Sequence, residues 1–415
     1  MSWAGALDMS ALDAAPAHWE RVPIWSVVRR LDIKGRPNAQ LLSVYRDHGV
    51  VPTKSRDDNF NKPSEDLTTY RFVRRGQLVL NKMKTWQGSL AVSEHEGIVS
   101  PAYFVCSFQS RVYPRFAHYL LRSHPYVSFY GALSKGIRPN QWDLPFEEFR
   151  SLSMLLPPVE EQRRIANFLD AETSRIDNVR SARSRMQELL RLKRERVIEH
   201  LIGGQGTSKD FVPLKHLVES VTVGIVITPA SWYVESDGVP ALRGINVKPG
   251  RIDGRELVQI SHEGHLVHRK SRLHAGDLVV VRTGQAGAAA VVPPEFDGAN
   301  CIDLVIVRLG PSLAPRFAEY MLNSSYAKRR VAEFAVGSIQ SHFNVAAMKA
   351  MPVPRKSLVD QQRIVAEIDR AIEPIERAVG QMEKQDRLLA ERRQALITAA
   401  VTGQIEVTTA RGVNL

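Results

Sequence analysis

A long internal repeat constrains this chain more than any other feature. The segment 161–205 aligns without a gap on 360–404, 199 residues later, and eleven of the 45 aligned pairs are identical. The identical pairs include Gln162 with Gln361 and Asp170 with Asp369. A repeat of this length predicts one polypeptide with approximate two-fold internal symmetry.

The repeat also reaches into the sequence before each of these segments. Residues 115–123 match 316–324 at six of nine positions, and Gly76-Gln-Leu-Val is mirrored by Gly276-Asp-Leu-Val. A chain of 415 residues with 44% hydrophobic residues is long enough to bury more than one core. The order is therefore predicted to be globular block, long helix, globular block, long helix.

Domain boundaries follow from this order. The predicted segments are 1–156, 157–206, 207–354 and 355–415, where the first and third are globular domains and the others are repeated coiled-coil helices. The first helix is expected from about Glu160 to Ile202, because this stretch contains no Pro or Gly.

The second helix is expected to begin after Pro354. Ser357 and Asp360 have the spacing of an N-cap residue and the acid three positions later. Pro374 interrupts this pattern, since a proline within a helix removes one hydrogen bond. It predicts either a kink or a later start of the helix.

Apolar residues recur along both helices at alternating steps of three and four, the a and d spacing of a coiled coil. Two helices of about 43 residues, each roughly 65 Å long, are expected to pair antiparallel and to hold the blocks at opposite ends. The predicted seam consists of Leu169, Ile176, Val179, Met186, Leu190, Val197, Ile368, Ile375, Met382, Leu389 and Leu396.

Each globular block contains short strand-like runs bounded by Gly, Pro and Asp. They lie at 77–80 and 98–108 in the first block and at 277–281 and 301–309 in the second, and a helix follows at 115–123 or 316–333. This mixture predicts α/β (α+β) globular domains in two copies, each with a twisted sheet and many loops.

The charge distribution favours a polyanionic partner. Lys and Arg exceed Asp and Glu by six in residues 1–156 and by three in 206–354, within a total net charge of +12. A basic surface suits DNA, because neutralising phosphates releases counterions. Many basic proteins bind no nucleic acid, so charge alone leaves the question open.

Polar and basic side chains at matching places in the two blocks are the candidates for DNA contact, since Arg and Lys pair with guanine or phosphates and Gln or Asn with adenine. For any single residue, a solvated loop that contacts nothing is equally compatible. The candidates are Lys82, Lys84, Gln87, Lys135, Arg138 and Asn140 in the first block, and Arg243, Asn246, Arg282, Thr283, Gln285, Gln340 and His342 in the second.

Several function classes have no support in the sequence. There is no Gly-Lys dipeptide of a Walker A loop, no methyltransferase or nuclease motif, and no cluster at metal-ligand spacing, so no catalytic residue and no metal site are predicted. Cys106 and Cys301 stand in apolar runs and are expected to be buried free thiols. The sequence has no apolar stretch of the roughly 18 residues needed to span a bilayer and no signal peptide. A cytoplasmic location without membrane contact is therefore expected.

A Pro-Pro-x-x-Glu-Gln-x-x-Ile motif opens the first helix, as Leu156-Pro-Pro-Val-Glu-Glu-Gln-Arg-Arg-Ile165, and Asp360-Gln-Gln-Arg-Ile364 opens the second. A duplicated block followed by this motif and by a heptad helix ending in Gly-Gln closely resembles the specificity subunit of Type I restriction-modification systems. The second copy departs from the pattern in the longer turn 355–358 and at Pro374.

This resemblance implies a non-catalytic subunit of a site-specific deoxyribonuclease and adenine methyltransferase complex. It implies that each globular block reads one half of a bipartite double-stranded DNA target, and that the helices set the spacer. Its implied partners are two modification subunits and restriction subunits, which would carry S-adenosylmethionine, ATP and Mg²⁺. The alternative from another class is a coiled-coil scaffold that binds protein partners without DNA.

Overall fold

The computed structural model describes residues 13, 15–55, 63–136, 142–202, 210–335 and 344–407. The chain divides into two compact units, one formed by Met1–Arg183 with Lys384–Leu415 and the other by Ser184–Glu383. Each unit combines one α/β domain with one half of each long helix. The predicted division into four segments stays a prediction, because each compact unit contains a domain together with half of each long helix.

The first unit alternates short strands and helices before it enters the first long helix. Its strands are β1 (Glu20–Pro23), β2 (Val28–Leu31), β3 (Leu42–Tyr45), β4 (Gly49–Pro52), β5 (Arg71–Val73), β6 (Leu78–Asn81), β7 (Leu90–Val92), β8 (Gly97–Val99), β9 (Tyr103–Phe108) and β10 (Ser153–Leu156). Its helices are α1 (Pro114–Leu121), α2 (His124–Leu133) and α3 (Phe146–Ser151), followed by the start of α4 (Val159–Ile202).

The second unit repeats this plan with additional strands. Its strands are β11 (Phe211–Pro213), β12 (Val218–Val223), β13 (Tyr233–Val234), β14 (Val239–Leu242), β15 (Val247–Lys248), β16 (Arg251–Ile252), β17 (Val258–Ile260), β18 (Leu278–Val281), β19 (Ala289–Val291), β20 (Asn300–Cys301), β21 (Leu304–Leu309) and β22 (Pro352–Pro354). Its helices are α5 (His262–Val267), α6 (Pro315–Asn323), α7 (Ser325–Ala335) and α8 (Val345–Ala350), followed by the start of α9 (Leu358–Val401).

Each of the two domains has its own central four-stranded antiparallel sheet. The strand order is β2-β9-β6-β7 in the first domain and β12-β21-β18-β19 in the second. Leu78 pairs with Val92 in one sheet and Leu278 with Val291 in the other, so the register is also conserved between the copies. A two-stranded pairing, β1 with β10 or β11 with β22, leads each domain into its long helix. The predicted duplicated α/β architecture is confirmed.

Sequence periodicity misplaced several boundaries. The run predicted as one strand at 98–108 is β8 and β9, which belong to different sheets, and the run at 301–309 likewise divides into β20 and β21. The helix predicted at 316–333 ends at Asn323 and restarts at Ser325, because Ser324 is extended and its hydroxyl donates to the Met321 carbonyl at 2.6 Å. Period-two patterns do not record which sheet a strand joins.

The long helices begin and end close to the predicted residues. The first begins at Val159, and the second begins after Ser357, whose hydroxyl accepts a hydrogen bond from the Asp360 backbone N–H at 3.1 Å. Pro374 lies inside α9, sixteen residues after its start, so it does not mark the beginning of the helix.

Ion pairs between α4 and α9 show an antiparallel arrangement within each unit. In the first unit, Arg393 Nε lies 3.2 Å from Asp177, and Arg180 forms two hydrogen bonds to Asp386 at 2.9 and 3.2 Å. In the second unit, Arg194 pairs with Glu376 at 3.0 Å and Arg191 with Glu383 at 3.4 Å. Residue numbers fall along one helix as they rise along the other, which is the signature of antiparallel packing.

Burial of the predicted seam is strongest where the helices meet a domain. In the first unit Leu169 of α4 and Ile397 of α9 join one core, and in the second unit Ile198 and Ile202 of α4 join another with Ile368 of α9. Ile176 and Ile375 are also buried. Leu190, Val197, Met382, Leu389 and Leu396 are half-buried.

The seam prediction is corrected at two positions. Val179 is 40% exposed and Met186 is 47% exposed. Away from the domains a helix has only its partner helix to cover it, and long ion-paired side chains occupy much of that contact. A heptad pattern predicts which face is apolar, but it does not predict how much of that face is covered.

The identical glutamines of the repeat fasten each helix to its own domain. Gln162 is fully buried; its side-chain oxygen accepts from the Tyr113 backbone N–H at 2.7 Å, and its amide donates to the Arg111 and Pro157 carbonyls. Gln361 makes the same three contacts, with Ala314, Ser312 and Lys356. We call these two residues the glutamine clamps. Each satisfies three backbone groups that would otherwise be buried unpaired.

A second repeated contact lies two helical turns further along each helix. The Tyr119 hydroxyl donates to Asp170 at 2.6 Å, and Arg115 also pairs with that carboxylate. In the second unit Tyr320 donates to Asp369, and Arg316 lies 3.5 Å from it. The identities at these positions of the repeat therefore have a structural explanation.

Replacing a clamp should destabilise the fold, whereas the same replacement next to it should not. Gln361→Leu leaves the Ala314 N–H and two carbonyls unpaired, so we expect the free energy of unfolding to fall by roughly 2–4 kcal/mol. Gln362→Leu at the adjacent exposed position is the matched control. Urea denaturation followed by circular dichroism measures both, and equal effects of the two changes would contradict the clamp.

Candidate nucleic-acid interface

Several of the candidate residues lie in the loops that follow equivalent inner strands of the two central sheets. Lys82, Lys84 and Gln87 follow β6, and Arg282 and Gln285 follow β18. The two strands occupy the same position in the two sheets. The structure therefore brings these sequence-predicted groups to corresponding places in each domain.

The loop after β6 presents one unpaired lysine together with apolar and aromatic groups. Lys82 forms an ion pair with Asp143 at 2.6 Å, whereas Lys84 is exposed and Gln87 is half-buried. The rings of Trp86 and Trp142 are 4.8 Å apart. Lys84 is thus the cation of this loop that is available to a phosphate.

The loop after β18 is held by a carboxylate from the neighbouring strand connection. Arg282 pairs with Asp303 and is only 19% exposed, and the Thr283 hydroxyl donates to the same carboxylate at 3.4 Å. Gly284 and Gly287 have φ of +80° and +88°, which glycine adopts without strain, and they turn the loop tightly. Gln285 is exposed at its tip.

One candidate of the second domain is corrected by its burial. Asn246 is 1% exposed; its oxygen accepts from the Arg243 backbone N–H at 2.9 Å, and its amide donates to the Asp253 and Arg255 carbonyls. All these groups belong to the backbone, so Asn246 shapes its own loop and cannot reach a base. Arg243 is half-buried and donates to the Glu256 carbonyl at 3.0 Å.

The remaining candidates lie near the ends of the domains. Lys135 is exposed and pairs with Glu148 at 3.0 Å. Arg138, Asn140, Gln340 and His342 lie outside the described residues.

Sequence reasoning missed the carboxylates that partner the candidate cations. Asp143 neutralises Lys82, and Asp303 neutralises Arg282. Asp303 has φ of +52°, an uncommon value for a residue other than glycine. No spacing in the sequence predicts its contact with Arg282. Charge pairing across a sheet edge depends on tertiary proximity, which local sequence does not record.

The described residues contain neither a cluster of metal ligands nor a membrane-spanning helix. Among the described residues no group of three or more His, Cys, Asp and Glu could hold a metal ion, and no helix is long and apolar enough to cross a membrane. Both cysteines are buried free thiols, as predicted, and burial raises the pKa of Cys106 to about 12. Neither thiol is a nucleophile at neutral pH.

Comparisons with known proteins agree with the resemblance in the repeated motif. No protein-family model matches the chain. It is 22% identical over 243 residues to the Type I restriction enzyme EcoBI specificity subunit of Escherichia coli, covering 52% of this chain and 50% of that protein. It is 25% identical over 182 residues to the StySPI specificity subunit of Salmonella potsdam, covering 42% and 38%. The alignments span half or less of the length of these curated relatives.

Structural similarity extends over nearly the whole chain. A chain solved in work on complex assembly and conformational transition of the type I R-M system superposes with a TM-score of 0.67 at 19% identity. The superposition covers 94% of this chain and 99% of the other. This match establishes the fold, and the sequence similarities confirm the resemblance to Type I restriction enzyme specificity subunits.

Two substitutions separate structural from surface candidates. Asn246→Ala should lower the unfolding temperature of the chain, because it leaves one backbone N–H and two carbonyls unpaired. Lys84→Ala should leave that temperature unchanged, because its side chain is exposed. Differential scanning calorimetry compares the two, and a stable Asn246→Ala protein would return Asn246 to the list of DNA-contact candidates.

Proposed function

We propose that this chain, a distant relative of Type I restriction enzyme specificity subunits in sequence and fold, is the sequence-specific DNA-binding subunit of a Type I restriction-modification complex. Each domain reads one half of a bipartite target, and the long helices set the spacer between the halves. The chain itself is non-catalytic.

The duplication of one α/β domain, each copy clamped to its own long helix, carries this proposal. Two copies of one framework present their loops after β6 and β18 in the same structural context. Two related readers bind two separate stretches of one duplex, as dimeric DNA-binding proteins bind two half-sites about one helical turn apart. Because the loop residues differ between the copies, the half-sites differ as well.

The helices are suited to measuring a distance. Both α4 and α9 are 44 residues long, which corresponds to about 66 Å of uninterrupted helix. Ion pairs join them in each unit, and the clamps fix the first turn of each helix to a domain. A rigid element of fixed length translates into a fixed number of base pairs.

The proposed partners carry the chemistry. Two modification subunits dock on this chain and methylate adenine with S-adenosylmethionine, and restriction subunits use ATP and Mg²⁺ for translocation and cleavage. A location in the cytoplasm, where the DNA is, belongs to the same proposal. The competing interpretation, a scaffold that binds only proteins, is weakened by the basic excess in both domains, because a polyanion ligand explains that excess and a protein-only scaffold does not require it.

Substitutions in the two loops should have different effects, one on base preference and the other on overall affinity. Gln285→Ala should relax base preference in one half-site only, by about 1–3 kcal/mol of discrimination, since a glutamine that reads adenine makes two hydrogen bonds to it. Lys84→Ala should weaken binding to all sequences and reduce the salt dependence by about one ion, as for a phosphate contact. Binding of the assembled complex to a library of duplexes measures both.

Lys384→Ala is the matched control, because it removes the same charge from an exposed position of α9. Its affinity should equal that of the unaltered complex. If Lys384→Ala and Lys84→Ala weaken binding equally, the loop after β6 is not a specific phosphate contact. If Gln285→Ala alters both half-sites, the assignment of one domain to one half-site is wrong.

Lengthening the helices tests the proposed ruler. One heptad inserted after Arg183 and another after Glu383 would extend both helices at the sequence boundary between the two units. We expect the spacer of the methylated sequence to change while both half-sites stay the same, and the unchanged half-sites serve as the internal control. Sequencing of methylated DNA gives the result, and an unchanged spacer would contradict the ruler.

A further inference from the structure

A large cleft in the first unit extends from the loop after β6, which contributes Gln87, to a group of arginines and histidines outside that loop. It has a volume of about 1150 Å³ and is bounded by β4, by α1 and by the parts of α4 and α9 that belong to this unit. Its wall contains five arginines, Arg46, Arg115, Arg122, Arg180 and Arg393, and four histidines, against three carboxylates, Asp47, Glu94 and Asp177.

Arg122 is the arginine of this wall without a direct ion pair among the described residues, although Asp47 lies close enough to act on its charge. Its guanidinium donates to the Leu90 carbonyl at 2.8 Å and to the Arg46 carbonyl, both of them neutral acceptors. Within the described ranges no carboxylate forms an ion pair with it. A guanidinium has five N–H donors, so three remain for a ligand.

The surroundings make this charge costly in the absence of a ligand. Burial together with Arg393 and Arg115 lowers the pKa of Arg122 to about 10. Burial and the charges of Arg122, Arg115 and Arg393 hold the pKa of His118 well below its usual range, although a backbone hydrogen bond at Val92 opposes this shift; the ring nitrogen Nδ1 is buried without a hydrogen-bond partner among the described residues. An anion placed here would offset the repulsion among the arginines and would favour protonation of His118.

The other arginines of the wall are paired and line the rim. Arg180 pairs with Asp386, Arg393 with Asp177, and Arg46 with Asp47. Their side chains retain between 33% and 66% of their exposure, so they can turn towards a ligand that enters the cleft. The rim therefore carries three arginines whose charges are offset by carboxylates until a ligand competes for them.

The second unit provides an internal comparison, because the side chains at its two equivalent positions are hydrogen-bonded within the unit. Glu319 stands where the first unit has His118; it accepts from the Val291 backbone N–H at 2.9 Å and pairs with Arg316. Asn323 stands where the first unit has Arg122; it donates to the Ala289 carbonyl at 2.8 Å and accepts from the Ala289 N–H at 3.0 Å. The same framework thus forms a stable fold without the histidine and the arginine.

We propose that the cleft of the first unit binds a phosphate group, seated on Arg122 and His118, with Arg46 and Arg393 closing over it. Arginine is the side chain best suited to this ligand, because its planar fork forms paired hydrogen bonds to phosphate oxygens. The volume exceeds that of a single phosphate and accommodates a small phosphorylated molecule of nucleotide size.

Titration calorimetry of the full-length chain with inorganic phosphate, pyrophosphate and ATP tests this site. We expect pyrophosphate to bind, and we expect the double change His118→Glu with Arg122→Asn, which installs the residues of the second unit, to weaken it at least tenfold. Arg269→Asn, at an exposed position of the second unit, is the control that removes one arginine elsewhere. No heat with any of the three probes, or equal binding by the double variant and the control, would overturn the proposal.

A surface substitution keeps the test decisive if the double variant does not fold. Asp47 is 67% exposed at the rim, so Asp47→Asn removes a negative charge without touching the core. It should tighten pyrophosphate binding about two- to fivefold at low salt, and an unchanged or weaker affinity would contradict the proposal. Competition with a DNA duplex then identifies the source of the phosphate. Displacement of pyrophosphate points to the DNA backbone, and its persistence points to a free phosphorylated compound.

Discussion

Two buried glutamines hold the architecture together. Gln162 and Gln361 occupy the first turn of α4 and α9, and each connects that turn to the backbone that enters α1 or α6 of its own domain. Because a buried amide with three partners fixes both position and direction, the long helix leaves its domain at a defined angle in each copy. The apolar residues of the initial turns, such as Ile165 and Ile364, pack into the cores beside these glutamines and reinforce the same attachment.

The helices combine burial at the domains with exposure between them. Their ends contribute Leu169, Ile198, Ile368 and Ile397 to the two cores, while Val179 and Met186 are substantially exposed. Ion pairs across the helices supply orientation there, although exposed pairs contribute little free energy each. Each helix is therefore anchored in the two cores and keeps exposed surface along the part that no domain covers.

The sequence predicted the order of domains and long helices because the internal repeat shows that this order occurs twice. An ungapped alignment of 45 residues is preserved only when both copies adopt the same local structure, so the helices, their starts and the duplicated domains were all accessible. The details of the candidate site were not. Asn246 and Arg282 are residue types that commonly contact DNA bases. In this structure, however, the Asn246 side chain hydrogen-bonds to the backbone of its own loop, and Arg282 forms an ion pair with Asp303. The cleft around Arg122 was equally inaccessible, since β4, α1 and α9 are far apart in sequence.

The central claim is that each of the two domains reads its own half of a split DNA sequence. Single-molecule sequencing of adenine methylation tests it directly, in cells that carry this chain with its modification partner and in matched cells that lack only this chain. A split motif with a fixed gap should be methylated in the first cells and unmethylated in the second. An identical methylation pattern in both, with the partner subunits present and active, would contradict the claim.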